Sequence, residues 1–458
     1  MKKNFFLLAL SLCTSVIYAQ EFSLKEAIDY AIINNANHKN VVVDQQIADM
    51  KQKEVLGLWK PQLSASLDVK DYLQPPTAVF DGAKFPGSPA FLASLPIDDP
   101  QRYSKGSFQI QYNNTAGIQA SQLIFNSDVL VAIQASKSYS ELMQKNVDRS
   151  KVDITVAVTK AYYNVLISRE RIKLLDAQLE RVKKMLDDTK LLNEKGFVEK
   201  IDVDRVQLGY NNLVTEKEKI GRLVELTSAL LKFQMGMDMQ STIVLKDSLD
   251  MNAPIQDLPI IKEKFDYSLR ADYSMTQLQL HLMELDYKRN KLKWMPTIAA
   301  YSNFSTINMS PKFDPFNFGV QSSPIKQWYP LSLIGVTMNV PIWDGGQTYY
   351  KKQQAKLNVL KTQNTLQMME SGIDMDIKIS STTYQNALSS LTTQKENIQL
   401  AQKVYDVTKI KYEQGVGGIS DVVNAEASLK EAQVNYFNAM YEYLVAKTDY
   451  EKATGLIK

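Results

Sequence analysis

The chain contains itself twice. Trp59-Lys60-Pro61 returns as Trp294-Met295-Pro296, and Gly117 through Phe125 returns as Gly335 through Trp343. Glu194-Lys195-Gly196 matches Glu413-Gln414-Gly415, Asp202-Val203 matches Asp421-Val422, and Gly236 matches Gly455. The landmarks keep their order, so whatever the first half folds into, the second half repeats. The offset between copies is nearly constant from the second landmark on and larger at the Trp-x-Pro. The first half therefore carries the longer loop between those two points.

Each half has one plan. A helical segment, Leu24 to Leu58 or Tyr267 to Lys293, runs into the Trp-x-Pro, where proline ends the helix. Period-two alternation follows: Leu63, Ala65, Leu67 and Val69 are apolar while Ser64, Ser66, Asp68 and Lys70 are polar. A second alternating run has Phe108, Ile110, Tyr112, Ala116 and Ile118 on one face. In the second half Ile334, Val336, Met338, Val340 and Ile342 alternate with Gly335, Thr337 and Asn339. Strands are thus expected at about 62–72, 107–125, 297–306 and 332–343, with 297–306 the weakest. Ten of the fifteen prolines fall between the paired strands, in 73–106 and 307–331. These segments read as irregular surface loops.

After its second strand each half turns helical for a long way, Asp128 to Lys195 and Gln347 to Gln414. Val158, Tyr162, Val165, Ile172, Leu175, Leu179, Val182 and Leu186 recur at steps of three, four and seven, which is coiled-coil spacing. Tyr384, Leu388, Leu391, Ile398, Tyr405 and Thr408 form a looser copy. At ~1.5 Å per residue each helix is a rod of roughly 100 Å. Gly196 and Gly415 stop the rods, and helices return over Ile201 to Met235 and Ser420 to Thr454. The chain therefore divides into a leader (1–19), a first repeat (20–236), a linker (237–265) and a second repeat (266–458).

Lys2, Lys3 and the short apolar run Phe5 to Leu12 read as a secretory signal cleaved after Ala19. Leu12 stands where a lipidation motif before Cys13 wants a small residue, so no lipid anchor is expected. The mature chain then lacks cysteine, which excludes thiol catalysis, cysteine-based zinc sites and a disulfide framework. Lys+Arg is 53 against Asp+Glu 50, too near balance for a nucleic-acid partner. His38 and His281 share no ligand spacing and do not correspond between the halves, so neither a metal nor a cofactor is expected. No Ser–His or paired-carboxylate arrangement suggests an enzyme.

Roughly ten-residue alternating strands with a long loop at one end and helices at the other suit an outer membrane. Four strands cannot close a barrel, and an open edge in lipid leaves backbone groups unpaired. Two chains would supply eight strands and three would supply twelve. Pro341-Ile342-Trp343-Asp344-Gly345-Gly346, Tyr412-Glu413-Gln414-Gly415 with Asp421-Val422, the opening Phe22-Ser23-Leu24-Lys25-Glu26-Ala27 and the Trp-x-Pro pairs carry a further reading. In their order and spacing the chain resembles the TolC-like outer-membrane efflux factors along nearly its whole mature length.

The resemblance implies a mainly α fold with a membrane β-barrel portion. It implies a homotrimer with a twelve-strand barrel continued by a twelve-helix periplasmic tunnel, docked on a periplasmic adaptor driven by an inner-membrane transporter. The function implied is an exit duct for efflux or secretion. Asp421 falls at the family's acidic constriction, whose second acidic position is Asn424 here. Asp202 is its first-half equivalent, and Tyr412 matches a tyrosine that in the family bonds to that aspartate. An arginine of the same latch falls at Gly417. Adaptor contact is implied for the tips Gly196, Phe197, Val198, Gly415, Val416, Gly417 and Gly418. Trp59, Phe125, Trp294 and Trp343 fall at helix–strand junctions, where aromatic rings favour a membrane interface. A periplasmic coiled-coil scaffold is the rival reading, but it has no use for four amphipathic strands.

Overall fold

The computed structural model describes residues 20–84, 86–87, 89–107, 109–249, 265–313 and 328–457. The leader with Cys13, residues 250–264 of the linker and residues 314–327 of the second proline-rich loop lie outside the described residues. In chain order the elements are β1 (Gln20–Phe22), α1 (Leu24–Asn34), α2 (Ala36–Gly57), β2 (Gln62–Asp71), β3 (Ala78–Asp81), the single turn α3 (Phe91–Ser94), β4 (Tyr103–Gly106), β5 (Tyr112–Phe125), α4 (Ser127–Glu194) and α5 (Lys200–Met235). Then come β6 (Ile243–Leu245), α6 (Ala271–Leu292), β7 (Thr297–Ser310), β8 (Trp328–Asn339), α7 (Gln347–Glu413) and α8 (Ile419–Ala453). They divide into two units.

The helical unit holds the chain up to Ala48, Tyr139–His281 and everything from Leu360 on. Its first helix opens with a reciprocal cap: the Glu26 carboxylate accepts from Ser23 N at 2.8 Å and the Ser23 hydroxyl accepts from Glu26 N at 3.4 Å. The alternating threes and fours of α4 become a buried seam. Val158, Tyr162 and Val165 pack with Phe22, Ala27, Ala31, Leu231, Met235 and Ile243, and Leu175, Val182 and Leu186 pack with Val206, Leu213 and Ile220. The second copy buries aromatics instead. Tyr384 stacks on Tyr450 at 5.7 Å between centroids and leans on Tyr443 at 5.8 Å.

Gly236 and Gly455 show why the duplication kept them. Both have positive φ, +68° and +67°. A Cβ on Gly236 would stand 2.6 Å from Asn34 O, and one on Gly455 would stand 3.0 Å from Leu269 O. Each repeat thus ends with its last helix turned against the backbone that opened it. The linker is less plain than expected, because β6 pairs in parallel with β1. Tyr162 fixes that pair: its single hydroxyl proton is placed between two acceptors, Asp247 Oδ2 at 2.8 Å and Phe22 O at 3.0 Å.

The sheet unit holds Asp49–Ser138 and Leu282–Val359. Its strands lie in the order β2-β5-β7-β8, all antiparallel, so each repeat supplies one hairpin and β5–β7 joins them. The strand expected to be weakest, 297–306, is a central one of 14 residues reaching Ser310. It has a ladder on both sides, which offsets the modest strand propensity of its serines, alanines and asparagines. β8 runs Trp328–Asn339 rather than 332–343, and β5 starts at Tyr112 rather than 107. The 73–106 loop is not irregular throughout. β3 and β4 form a short hairpin, braced where Arg102 Nε donates to Asp81 Oδ1 at 2.9 Å and Nη1 to Leu95 O at 2.8 Å.

The two glycines of the repeated strand motif sit at crowded rungs. Gly117 opposes Ser305, and a Cβ there would lie 2.6 Å from Ser305 Cβ and 3.1 Å from the Phe304 carbonyl oxygen. Gly335 opposes Tyr301, whose ring covers it. Backbone cannot move aside, whereas a tyrosine ring can swing. Gly117→Val is therefore expected to cost about 1–3 kcal/mol and to cut the yield of folded protein, while Gly335→Ala is tolerated. The fraction of each variant that keeps native mobility on unheated SDS gels measures this.

His38 is a packed histidine. Its ring Nδ1 lies 2.9 Å from Ser150 Oγ, joining α2 to α4. Burial lowers its pKa below the ordinary 6.5, and the Lys151 charge adds to the effect. As pH falls below 6.5 the unfolded chain takes up a proton that folded His38 resists, so stability drops. Thermal unfolding followed by helical circular dichroism is expected to weaken between about pH 7.5 and pH 5.5. The loss shrinks in His38→Gln.

Candidate functional site: hairpin tips and sheet faces

The two tips are built alike. At the first, Phe197 N donates back to Leu192 O at 2.9 Å; at the second, Val416 N donates to Lys411 O at 3.0 Å. These bonds satisfy the last carbonyls of each rod and require the preceding residue to be left-handed. Gly196 and Gly415 have φ of +78° and +75°. The returning helices also start alike, with Asp202 N on Glu199 O and Asp421 N on Gly418 O, both at 3.1 Å. Phe197 and Val416 point outward, 76% and 77% exposed. Val198 is held at its carbonyl by Asn193 Nδ2 at 2.7 Å, whereas Gly417 packs over the Lys411–Tyr412 backbone.

The tips then diverge. Ile419 is buried among Leu175, Val182, Leu186 and Val206, while Lys200, its first-half counterpart, is exposed. Asp202 pairs with Arg205 at 3.3 Å on its own helix. Asp421 accepts from Gly418 N at 3.3 Å, the ordinary use of an acid in a first helical turn. Its side chain is otherwise exposed, as is Asn424. Tyr412 packs against both tip clusters, and its buried hydroxyl has no partner among the described residues. The tyrosine–aspartate bond implied for Tyr412 and Asp202 is therefore not made in this structure, because Tyr412 lies in apolar packing and Asp202 is turned to Arg205.

A buried polar layer at this end escaped the sequence reading. Gln178 of α4 donates to Gln433 of α8, and Arg181 of α4 faces Glu426 of α8 at 3.6 Å over the ring of Tyr405. The signal was present. Gln178 follows Leu175 by three, and Glu426 and Gln433 interrupt the seam Val422, Leu429, Tyr436.

In the sheet, the rungs place Leu63, Leu67, Val69, Ile118, Phe304, Ile334, Val336 and Met338 on one face, all of them exposed. The other face carries Ser64, Asp68, Lys70, Thr115, Gln119, Asn303, Ser305 and Thr337. Beside the strand ends, Trp294 and Trp343 are 66% and 84% exposed, while Trp59 and Phe125 are half-buried. Among the described residues no helix is long and apolar enough to cross a membrane.

A four-stranded sheet with one exposed apolar face, in a chain that also builds long glycine-capped helical hairpins, defines the class of outer-membrane ducts. The outer membrane efflux protein family model matches residues 91–212 and 270–456, so the chain belongs to that family. Outer membrane protein TolC of Escherichia coli K12 is 22% identical over 417 residues, covering 87% of this chain and 80% of that protein. The probable efflux pump outer membrane protein TtgC of Pseudomonas putida is 21% identical over 351 residues, covering 75% and 69%. The Campylobacter jejuni CmeC outer membrane channel superposes with a TM-score of 0.73 at 15% identity, covering 94% of this chain and 85% of that one. The chain is an outer-membrane efflux-type duct with a periplasmic extension.

Removing the tip glycines tests the caps directly. Gly196→Ala and Gly415→Ala each force a side chain into the left-handed region at about 1–2 kcal/mol. Amide exchange in the last turns of α4 and α7 is expected to quicken by roughly tenfold or more per variant.

Proposed function

We propose that three copies of this chain close a twelve-strand barrel in the outer membrane and a twelve-helix tunnel below it. The open four-stranded sheet carries this reading: its outer strands β2 and β8 have no further partner among the described residues, yet its face is apolar. Lipid offers nothing to unpaired edge groups, so the edges of neighbouring chains must meet. The helices add support. Val43, Ile47 and Met50 of α2 and Leu357, Leu360, Met368 and Met375 of α7 are exposed apolar stripes at helical spacing.

In this assembly Trp59, Phe125, Trp294 and Trp343 ring the inner headgroup layer. The tips at Gly196–Val198 and Gly415–Gly418 meet a periplasmic adaptor, which joins the duct to an inner-membrane transporter. That transporter supplies the energy and chooses the cargo; the duct itself carries no reaction. Three copies of Asp421, with Asp202 close in sequence to the first tip, make a ring of negative charge that resists passive leakage. Asn424 leaves that ring single, and Tyr412 steadies it by packing. Residues 1–19 are the export signal, cut after Ala19.

Conductance of the purified trimer in planar bilayers tests the reading. The wild type is expected to show small steps, and Asp421→Ala to raise them at least severalfold, more than Asp202→Ala. Wild-type steps in both variants would remove the acidic ring and leave the duct. No steps from an inserted, folded oligomer would overturn the duct.

A further inference from the structure

The two hairpins of the sheet differ on the face opposite the apolar one. In the first hairpin that face carries no apolar side chain from Ser64 to Lys70 on β2 or from Asn113 to Gln119 on β5. In the second, the same face carries Tyr301, Ile307 and Met309 of β7 and Tyr329, Leu331 and Leu333 of β8. The duplication sharpens the contrast. Counted back from the matching glycines Gly117 and Gly335, residues Tyr329, Leu331 and Leu333 stand where the first repeat has Gln111, Asn113 and Thr115. These side chains are not packed away: Tyr329, Leu331 and Leu333 are 49%, 44% and 38% exposed, and Tyr301 and Met309 are exposed too.

Successive residues of a strand point to opposite faces, so the lipid that takes Ile334, Val336 and Met338 cannot also cover Leu331 and Leu333. A contiguous exposed apolar patch with a polar rim marks a contact site. The rim here is charged. Asp68 stands opposite Thr115, Thr115 opposite Ile307 and Ile307 opposite Tyr329. One row therefore runs from a carboxylate to an aromatic ring across four strands, about 14 Å. The adjacent row, Ser66, Gly117, Ser305 and Leu331, is low until it reaches the leucine. Asp68 is half-exposed and has Lys70 at 2.7 Å. Lys70 itself belongs to a row that ends at Met309, beyond the last rung between β7 and β8. The charge that shares a row with the patch is thus negative.

We propose that this patch is a binding site for cationic amphiphiles, with the head at Asp68 and the hydrocarbon laid across Ile307, Tyr329, Leu331 and Leu333. The site rests on the duct reading for its setting: in the proposed barrel this face lines the lumen, where three copies alternate polar and apolar hairpins. The transporter still chooses the cargo, and the patch gives an apolar one a hold on the wall as it leaves.

The chain's one cysteine, Cys13, falls in the expected leader, so an introduced thiol reports alone. Leu333→Cys and Ile334→Cys, each inserted in a bilayer as the folded oligomer, are treated with a charged, membrane-impermeant thiol reagent. Labelling at 333 and not at 334 is expected; equal labelling at both, or none at 333, would overturn a wet apolar face. Decyltrimethylammonium below its micellar concentration is expected to slow labelling at 333 by roughly tenfold. Tetramethylammonium, which has the head without the chain, and decanoate, which has the opposite charge, are expected to leave the rate alone. In the Leu333→Cys background, Asp68→Asn is expected to remove the protection. So is Tyr329→Gln with Leu331→Asn, which restores the first repeat's residues at those places. Protection that persists in these variants would overturn the site, and equal protection by decanoate would overturn its cationic preference. None of these readouts needs a current. An oligomer that labels and is protected as expected yet conducts nothing would therefore sink the duct reading and keep the site.

Discussion

Hydrogen bonding along two strand edges governs this molecule. Among the described residues, β5 and β7 pair on both sides, while β2 and β8 each pair with one strand. In water such edges would be tolerable, because solvent pairs with whatever the ladder leaves over. Here the adjoining face presents leucine, isoleucine, valine, phenylalanine and methionine outward, so the medium is lipid and the edges must find protein. The apolar stripes of α2 and α7 repeat the demand in the helices. The proposed closed ring of copies answers both demands.

Duplication explains the economy of the plan, and its decay shows in the packing. Both repeats keep the elements that geometry dictates: the Trp-x-Pro that ends a helix before a strand, the glycine at a crowded rung, the glycine at each tip and the glycine that folds each last helix onto its beginning. The packing between these points has drifted freely. One repeat fills its core with Phe22, Tyr162 and Met235, the other with a stack of tyrosines. At the tips Lys200 and Ile419 occupy matching places with opposite character.

What could be read from residues alone follows the range of the interaction concerned. Strand alternation, heptad spacing and glycine stops are local, and they located the helices and hairpins to within a few residues. The end of β7 at Ser310 was not local, since Ile307 to Ser310 is held by partners on β5 and β8 rather than by its own propensity. The β1–β6 pair joins Gln20–Phe22 to Ile243–Leu245, far apart in sequence, through three rungs. So short and distant a pairing leaves no pattern to read. The β3–β4 hairpin hides among prolines and depends on one Arg102–Asp81 bridge. At the site, the tip glycines were visible because left-handed backbone needs them. Glu426 was overlooked because a single glutamate in a long helix usually lies in water, and only its place on the seam marks it as buried.

The distribution of side chains along the rods separates a part packed by apolar and aromatic groups from a part whose buried contacts are polar. Far from the tip the seam is apolar and aromatic, and Tyr162, Asp247 and the β1–β6 ladder fasten it to Gln20–Phe22. Near the tip the same seam carries Gln178 against Gln433 and Arg181 against Glu426, groups that hold register with little net stabilisation. Which side chains interrupt the seam therefore distinguishes its two ends: apolar and aromatic packing at one, register set by buried polar partners at the other.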